Sequence, residues 1–188
     1  MCQPANQSTS KNEGVYGVLP YMAPEVLCGH PYTKAADIYS FGVVMNEFIS
    51  EETPYSNIPH DHGLAIKICK GLRPKISQDT QQLLADFITK CWNAEAENRP
   101  TAKELYQILD KWDNEKYYDD TELYSQLEEC DEISRSKFKN RSIEDKYKSL
   151  QTHPQAIYTS RLLNFKNLPE PVNSSDLSSF QFNSGNIT

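Results

Sequence analysis

No apolar run in this 188-residue sequence approaches the about 18 residues that a helix needs to cross a bilayer. The first ten residues, Met-Cys-Gln-Pro-Ala-Asn-Gln-Ser-Thr-Ser, carry neither a basic patch nor an apolar stretch, so they do not read as a signal peptide. Together these absences favour an intracellular, cytoplasmic chain with no membrane contact. Lys and Arg never gather into a dense patch with interleaved aromatics, and the net charge is -7; a nucleic-acid partner is not expected. The five cysteines (Cys2, Cys28, Cys69, Cys91, Cys130) stand too far apart for a zinc knuckle or a redox Cys-x-x-Cys pair. His60 and His62 flank Asp61, but no further donor stands near them in sequence, and the segment reads as a polar loop rather than a metal site.

What is present divides the chain into zones. Residues 1–13 are polar and read as a flexible segment. Residues 14–112 show regular apolar spacing and hold both tryptophans. Thr33 stands where it caps a helix running to about Ser50, with Ile38, Phe41, Val44, Met45 and Phe48 at three- and four-residue intervals. Ala35, Ala36, Gly42 and Val43 leave this helix few polar positions, which predicts a central rather than a surface place. Glu51, Glu52 and Pro54 stop it. A second helix fits Gly63 to Lys70, with Gly71 as a C-terminal cap. A third fits about Thr80 to Trp92, where the pairs Leu83/Leu84, Phe87/Ile88 and Cys91/Trp92 repeat every four residues. The fourth follows Thr101-Ala102-Lys103-Glu104, a capping box, and should bury Leu105, Ile108, Leu109 and Trp112. No run of alternating residues marks a strand, so this zone is expected to be almost wholly helical.

Residues 113–166 form a charged, partly helical extension. Between 113 and 153, eleven Asp and Glu face seven Lys and Arg. Short helices are expected around Leu123 and Leu127 and, weakly patterned, from Ser136 to Leu150. The piece from Ala156 to Phe165 is apolar enough to dock. Residues 167–188 are rich in Ser, Asn and Pro and predict a disordered end. The fold class is therefore mainly α, with a weakly structured C-terminal tail.

Several separated motifs fall in one order. Gly14-Val-Tyr-Gly-Val-Leu-Pro-Tyr-Met-Ala-Pro-Glu25 is followed by Asp37-Ile-Tyr-Ser-Phe-Gly42, then Cys91-Trp92, then Arg99-Pro100. This series resembles the C-terminal lobe of protein kinases, from the Ala-Pro-Glu signature that closes the activation segment. Residues 14–112, just over half the chain, carry the resemblance, and the Cys-Trp and Arg-Pro wording is similar to that shared by tyrosine-kinase-like serine/threonine kinases and tyrosine kinases. It implies a partial kinase-like helical bundle in which Glu25 pairs with Arg99 and anchors the activation segment. It implies that Asp37 accepts hydrogen bonds from the catalytic loop's backbone and supports the site from behind. Gly17, Val18, Leu19, Pro20 and Tyr21 would form the loop that receives the substrate residue after the phosphoacceptor. Most relatives have Thr where this chain has Val18, so a hydroxyl that contacts the catalytic aspartate and lysine is missing. Ser8, Thr9, Ser10 and Tyr16 stand where activation-loop phosphosites occur.

The phosphate-handling motifs of that family do not occur in the sequence: no glycine-rich loop, Ala-x-Lys strand, His-Arg-Asp loop or Asp-Phe-Gly. Only 22 residues precede Ala23. The expectation is a chain cut upstream of its ATP-binding segments, with no catalytic residue, bound cofactor or metal ligand of its own. ATP and Mg2+ are implied only for a full-length active relative. Such an enzyme would transfer the ATP γ-phosphate to a protein Ser/Thr or Tyr hydroxyl; the Tyr21-to-Glu25 wording leans to Ser/Thr. The alternatives are a non-catalytic, pseudokinase-like interaction module and a helical scaffold whose tail does the work. In each, protein substrates or regulators are the expected partners, bound along the helix from Gly63 and the loop from Pro54 to His62.

Overall fold

The computed structural model describes residues 14–78, 80–115 and 152–174. Two short strands and five α-helices follow in order: β1 (Val15–Gly17), α1 (Pro24–Leu27), α2 (Lys34–Ser50), α3 (His62–Cys69), α4 (Gln82–Cys91), α5 (Ala102–Glu115) and β2 (Arg161–Leu163). Single 3-10 turns lie at Leu19–Tyr21 and Ala96–Asn98. The chain is mainly helical, as its apolar spacing predicts.

Local chemistry sets most of the boundaries. Asp61 caps α3 by accepting from the Leu64 amide at 3.1 Å. At the other end Gly71 adopts φ 93°, which a side chain would disfavour. That conformation turns the Gly71 and Leu72 amides back to the carbonyls of Ile68 and Lys67, at 3.0 and 2.8 Å, and closes the helix. The capping box of α5 is formed reciprocally: the Thr101 amide donates to Glu104 Oε2 at 2.8 Å, and the Glu104 amide donates to Thr101 Oγ1 at 3.2 Å. The Thr101 amide, and then the Thr101 hydroxyl, which also donates to Glu104 Oε2 at 2.8 Å, hold the Glu104 carboxyl below its ordinary range.

The core lies between α2 and the other elements. Ala36, Tyr39 and Val43 of α2 are buried with Leu19, Met22 and Val26 from the N-terminal segment, Leu64 and Ile68 of α3, and Ile88 of α4. Gly42 allows α2 and α4 to approach closely, since a β-carbon there would stand 2.8 Å from that of Cys91. A smaller cluster joins Ile38, Phe87 and Cys91 to the inner side of α5. There Phe87 meets Phe41 and Trp112 edge-on, with ring centroids 6.3 and 4.9 Å apart.

Three expectations need correction. The helix from Lys34 is central on one side only: Val44 is 50% and Phe48 82% exposed, so its apolar circumference is not enclosed by the described residues. Leu105, Ile108, Leu109 and Trp112 are half-buried rather than buried, because α5 packs at the rim. The zone is also not wholly helical, since Val15–Gly17 pairs antiparallel with Arg161–Leu163, matching Val15 to Leu163 and Gly17 to Arg161. A three-residue strand whose partner comes from the far end of the chain leaves no periodic signature.

The tail is the largest departure. The apolar piece from Ala156 to Phe165 docks, as its composition suggests, with Leu163 buried in the main core. Contrary to the disordered end expected from residue 167, residues 167–174 continue along the bundle. The Val172 amide donates to the Cys69 carbonyl at 2.9 Å, and Asn173 Oδ1 accepts from the Ala94 amide at 2.8 Å. Backbone and amide hydrogen bonds hold a segment that composition alone leaves without enough apolar surface. The segments 1–13 and 175–188, and the helices expected near Leu123 and from Ser136 to Leu150, lie outside the described residues.

Candidate functional site

Glu25 and Arg99 meet beside the start of α2. Glu25 sits in the first turn of α1, and Arg99 follows the Ala96–Asn98 turn. Their side chains meet as a fork, Nη1 to Oε1 and Nη2 to Oε2, both at 2.7 Å. The guanidinium is fully enclosed and also donates to the carbonyls of Asn93, Ala35 and Ala94, at 2.8, 2.9 and 3.3 Å. One side chain thereby ties α1, the start of α2 and the α4–α5 connection. A planar donor meeting a carboxylate two-to-two fixes orientation as well as charge. The pair expected from the sequence is present.

A second buried guanidinium, Arg73, also lies against the ring of Tyr39. The two carbon centres stand 5.1 and 5.2 Å from the ring centroid. Arg73 donates through Nε to the Trp92 carbonyl and through Nη1 to those of Ile68 and Leu72, each at 2.9 Å. Burial raises the Tyr39 phenol above its ordinary value although both cations oppose it. Sequence reasoning missed Arg73: within Leu72-Arg73-Pro74 it looks like a loop residue, and only the three carbonyls aimed at it mark its place.

The segment Gly17–Tyr21 is gripped from α2. Ser40 Oγ donates to the Tyr21 carbonyl at 2.7 Å, and the Tyr21 hydroxyl donates to Glu47 Oε2 at 2.7 Å. Burial, then Glu47, push the Tyr21 phenol well up. Gly17, Leu19 and Pro20 are buried, while Val18 and Tyr21 are half-buried. Asp37, one turn before Phe41, points to the exposed side of α2 and does not join the Glu25–Arg99 cluster. Tyr16 is 43% exposed on β1, and Ser8, Thr9 and Ser10 lie outside the described residues.

His60 also escaped the sequence reading. It is 2% exposed, and its ring bridges two segments. Its Nε2 lies 3.2 Å from the Tyr55 carbonyl and its Nδ1 lies 3.0 Å from both the amide nitrogen and the carbonyl oxygen of Ile157, so both ring nitrogens have partners. The polar loop from Pro54 to His62 is therefore a receptor for the tail, a role no signal within the loop could reveal. Among the described residues no group of three or more His, Cys, Asp or Glu could hold a metal ion. No helix among them is long and apolar enough to cross a membrane.

The small helical bundle with its forked Glu25–Arg99 anchor is of the protein-kinase type. Residues 2–109 match the family described as protein tyrosine and serine/threonine kinase, and this chain belongs to that family. Dual specificity protein kinase shkD of Dictyostelium discoideum is 34% identical over 138 residues, which are 68% of this chain and 18% of the relative. Serine/threonine-protein kinase STY17 of Arabidopsis thaliana is 35% identical over 95 residues, 50% of this chain and 17% of the relative. Serine/threonine-protein kinase mos of Patiria pectinifera is 34% identical over 107 residues, 56% of this chain and 29% of the relative. The chain thus spans less than a third of each.

Proposed function

We propose that this chain is the helical, substrate-facing part of a protein kinase. In the whole enzyme the ATP γ-phosphate passes to a protein Ser or Thr hydroxyl, and segments outside this sequence hold the nucleotide and Mg2+. Here Gly17–Tyr21 is the loop that meets the substrate, Glu25 and Arg99 anchor it, and Asp37 supports the catalytic loop from behind. The forked Glu25–Arg99 pair carries the reading, because it rigidifies the base of the Gly17–Tyr21 segment within the region matched to the family. The sequence contains no phosphate clamp, so the 188-residue chain alone is inactive and binds neither ATP nor Mg2+.

Val18 favours a second reading, a non-catalytic interaction module. Without a hydroxyl at this position even a longer enzyme loses a hydrogen bond worth about 0.5–1.5 kcal/mol. One experiment tests chain-level inactivity: circular dichroism to establish folding, then calorimetry with Mg-ATP and radiolabel transfer to generic protein substrates. Neither binding nor transfer is expected. A saturable isotherm abolished by removing Mg2+ would overturn the proposal.

A further inference from the structure

The tail runs along a surface formed by the loop from Pro54 to His60, α3 and the edge of β1. Its contacts are those of an extended ligand. Its backbone pairs with Val15–Gly17, and alternate side chains turn inward: Arg161 donates to the His60 carbonyl, Leu163 is buried, and Phe165 stacks on His62 with centroids 5.7 Å apart. The intervening Leu162 and Asn164 are exposed. Upstream, Tyr158 meets His60 edge-on at 4.8 Å and donates to the Pro54 carbonyl at 2.8 Å. Main-chain pairing at a strand edge, with pockets for every second side chain, is how proteins bind peptides by adding a strand.

We propose that this surface is a peptide-docking site whose resident ligand is the chain's own residues 154–172. In trans it accepts an extended peptide of the same chemistry, an aromatic-x-x-Arg-x-Leu-x-Phe sequence. The resident segment takes the only edge of β1 that is paired among the described residues, directly before the Gly17–Tyr21 segment. A protein strand that is to lie there must first displace it. Covalent linkage makes docking of the resident segment intramolecular, so a free peptide is expected to compete poorly with it in the intact chain. This inference does not depend on phosphotransfer, because it is read by binding without nucleotide.

The test uses the full chain with a site-specific protease sequence inserted after Ser136. A fluorescent synthetic peptide of residues 154–172 is titrated against the protein before and after cleavage, with anisotropy as readout and circular dichroism as the folding control. We expect saturable binding after cleavage and at least about tenfold weaker binding before it. Leu163→Asp and Arg161→Ala, made in the peptide so that the protein's folding is untouched, should each weaken binding at least about tenfold. Three results would overturn the proposal: no binding to the cleaved protein, equal binding of wild-type and variant peptides, or equal binding before and after cleavage. Loss of helical signal on cleavage would overturn it too, by making the segment part of the fold rather than a ligand.

Discussion

Glu25 and Arg99 form the most heavily bonded ion pair among the described residues. The Arg99 side chain reaches five acceptor atoms on four residues, and its charge is buried against a carboxylate that retains 12% side-chain exposure. Glu25→Gln removes the counter-charge and leaves the guanidinium enclosed, which should cost about 3–5 kcal/mol in urea unfolding. Arg99→Lys keeps the charge but not the fork, so it should also destabilise, and the two substitutions combined should be far from additive. The buried thiols set a different limit. Burial pushes Cys69 and Cys91 from an ordinary 9.0 to about 12. In the unfolded chain these groups lose their protons near pH 9, and in the folded chain not until near pH 12. Their contribution to stability is therefore complete below about pH 9 and is lost as pH rises through 12. Thermal melts at pH 7.5 and 10.5 should show a lower midpoint at the higher pH. Cys69→Ala/Cys91→Ala protein should show a smaller drop.

Among the elements, those with local signals were legible in the sequence. The start of α5 is written in Thr101 and Glu104, the end of α3 in Gly71, and the stripe of α4 in its four-residue pairs. Thr101→Ala should cost about 1 kcal/mol, read as a lower denaturation midpoint with unchanged cooperativity. The Glu25–Arg99 pair was legible as well, because both residues lie in motifs with known partners. What could not be read depends on distant sequence. Val15–Gly17 becomes a strand only because Leu163 and its neighbours arrive beside it, and His60 is buried only because Ile157 and Tyr158 cover it. The over-reading of α2 has a related cause. Val44 and Phe48 are apolar, but apolar character states what a position would bury and not what stands next to it.

Across the whole molecule, β1 at one end of the described chain and β2 near the other are stitched together, with Leu163 sealing the seam at 3% exposure. Leu163→Ala should cost about 2–5 kcal/mol if the cavity persists. Hydrogen exchange should then quicken across Val15–Gly17 while α4 stays protected, because local opening follows the elements that lose contacts. Failure to separate the two regions would mean that strap and bundle open as one unit. The seam also has a timetable. At about 5–20 residues per second, a ribosome needs on the order of 7–30 s to pass from Gly17 to its strand partner Arg161. Throughout that interval the nascent chain carries an unmatched strand edge beside its half-built bundle, open to any neighbour on the same polysome. The strand that retires this edge is made long after the edge itself, so a translation product stalled between the two is expected to be the more adhesive species.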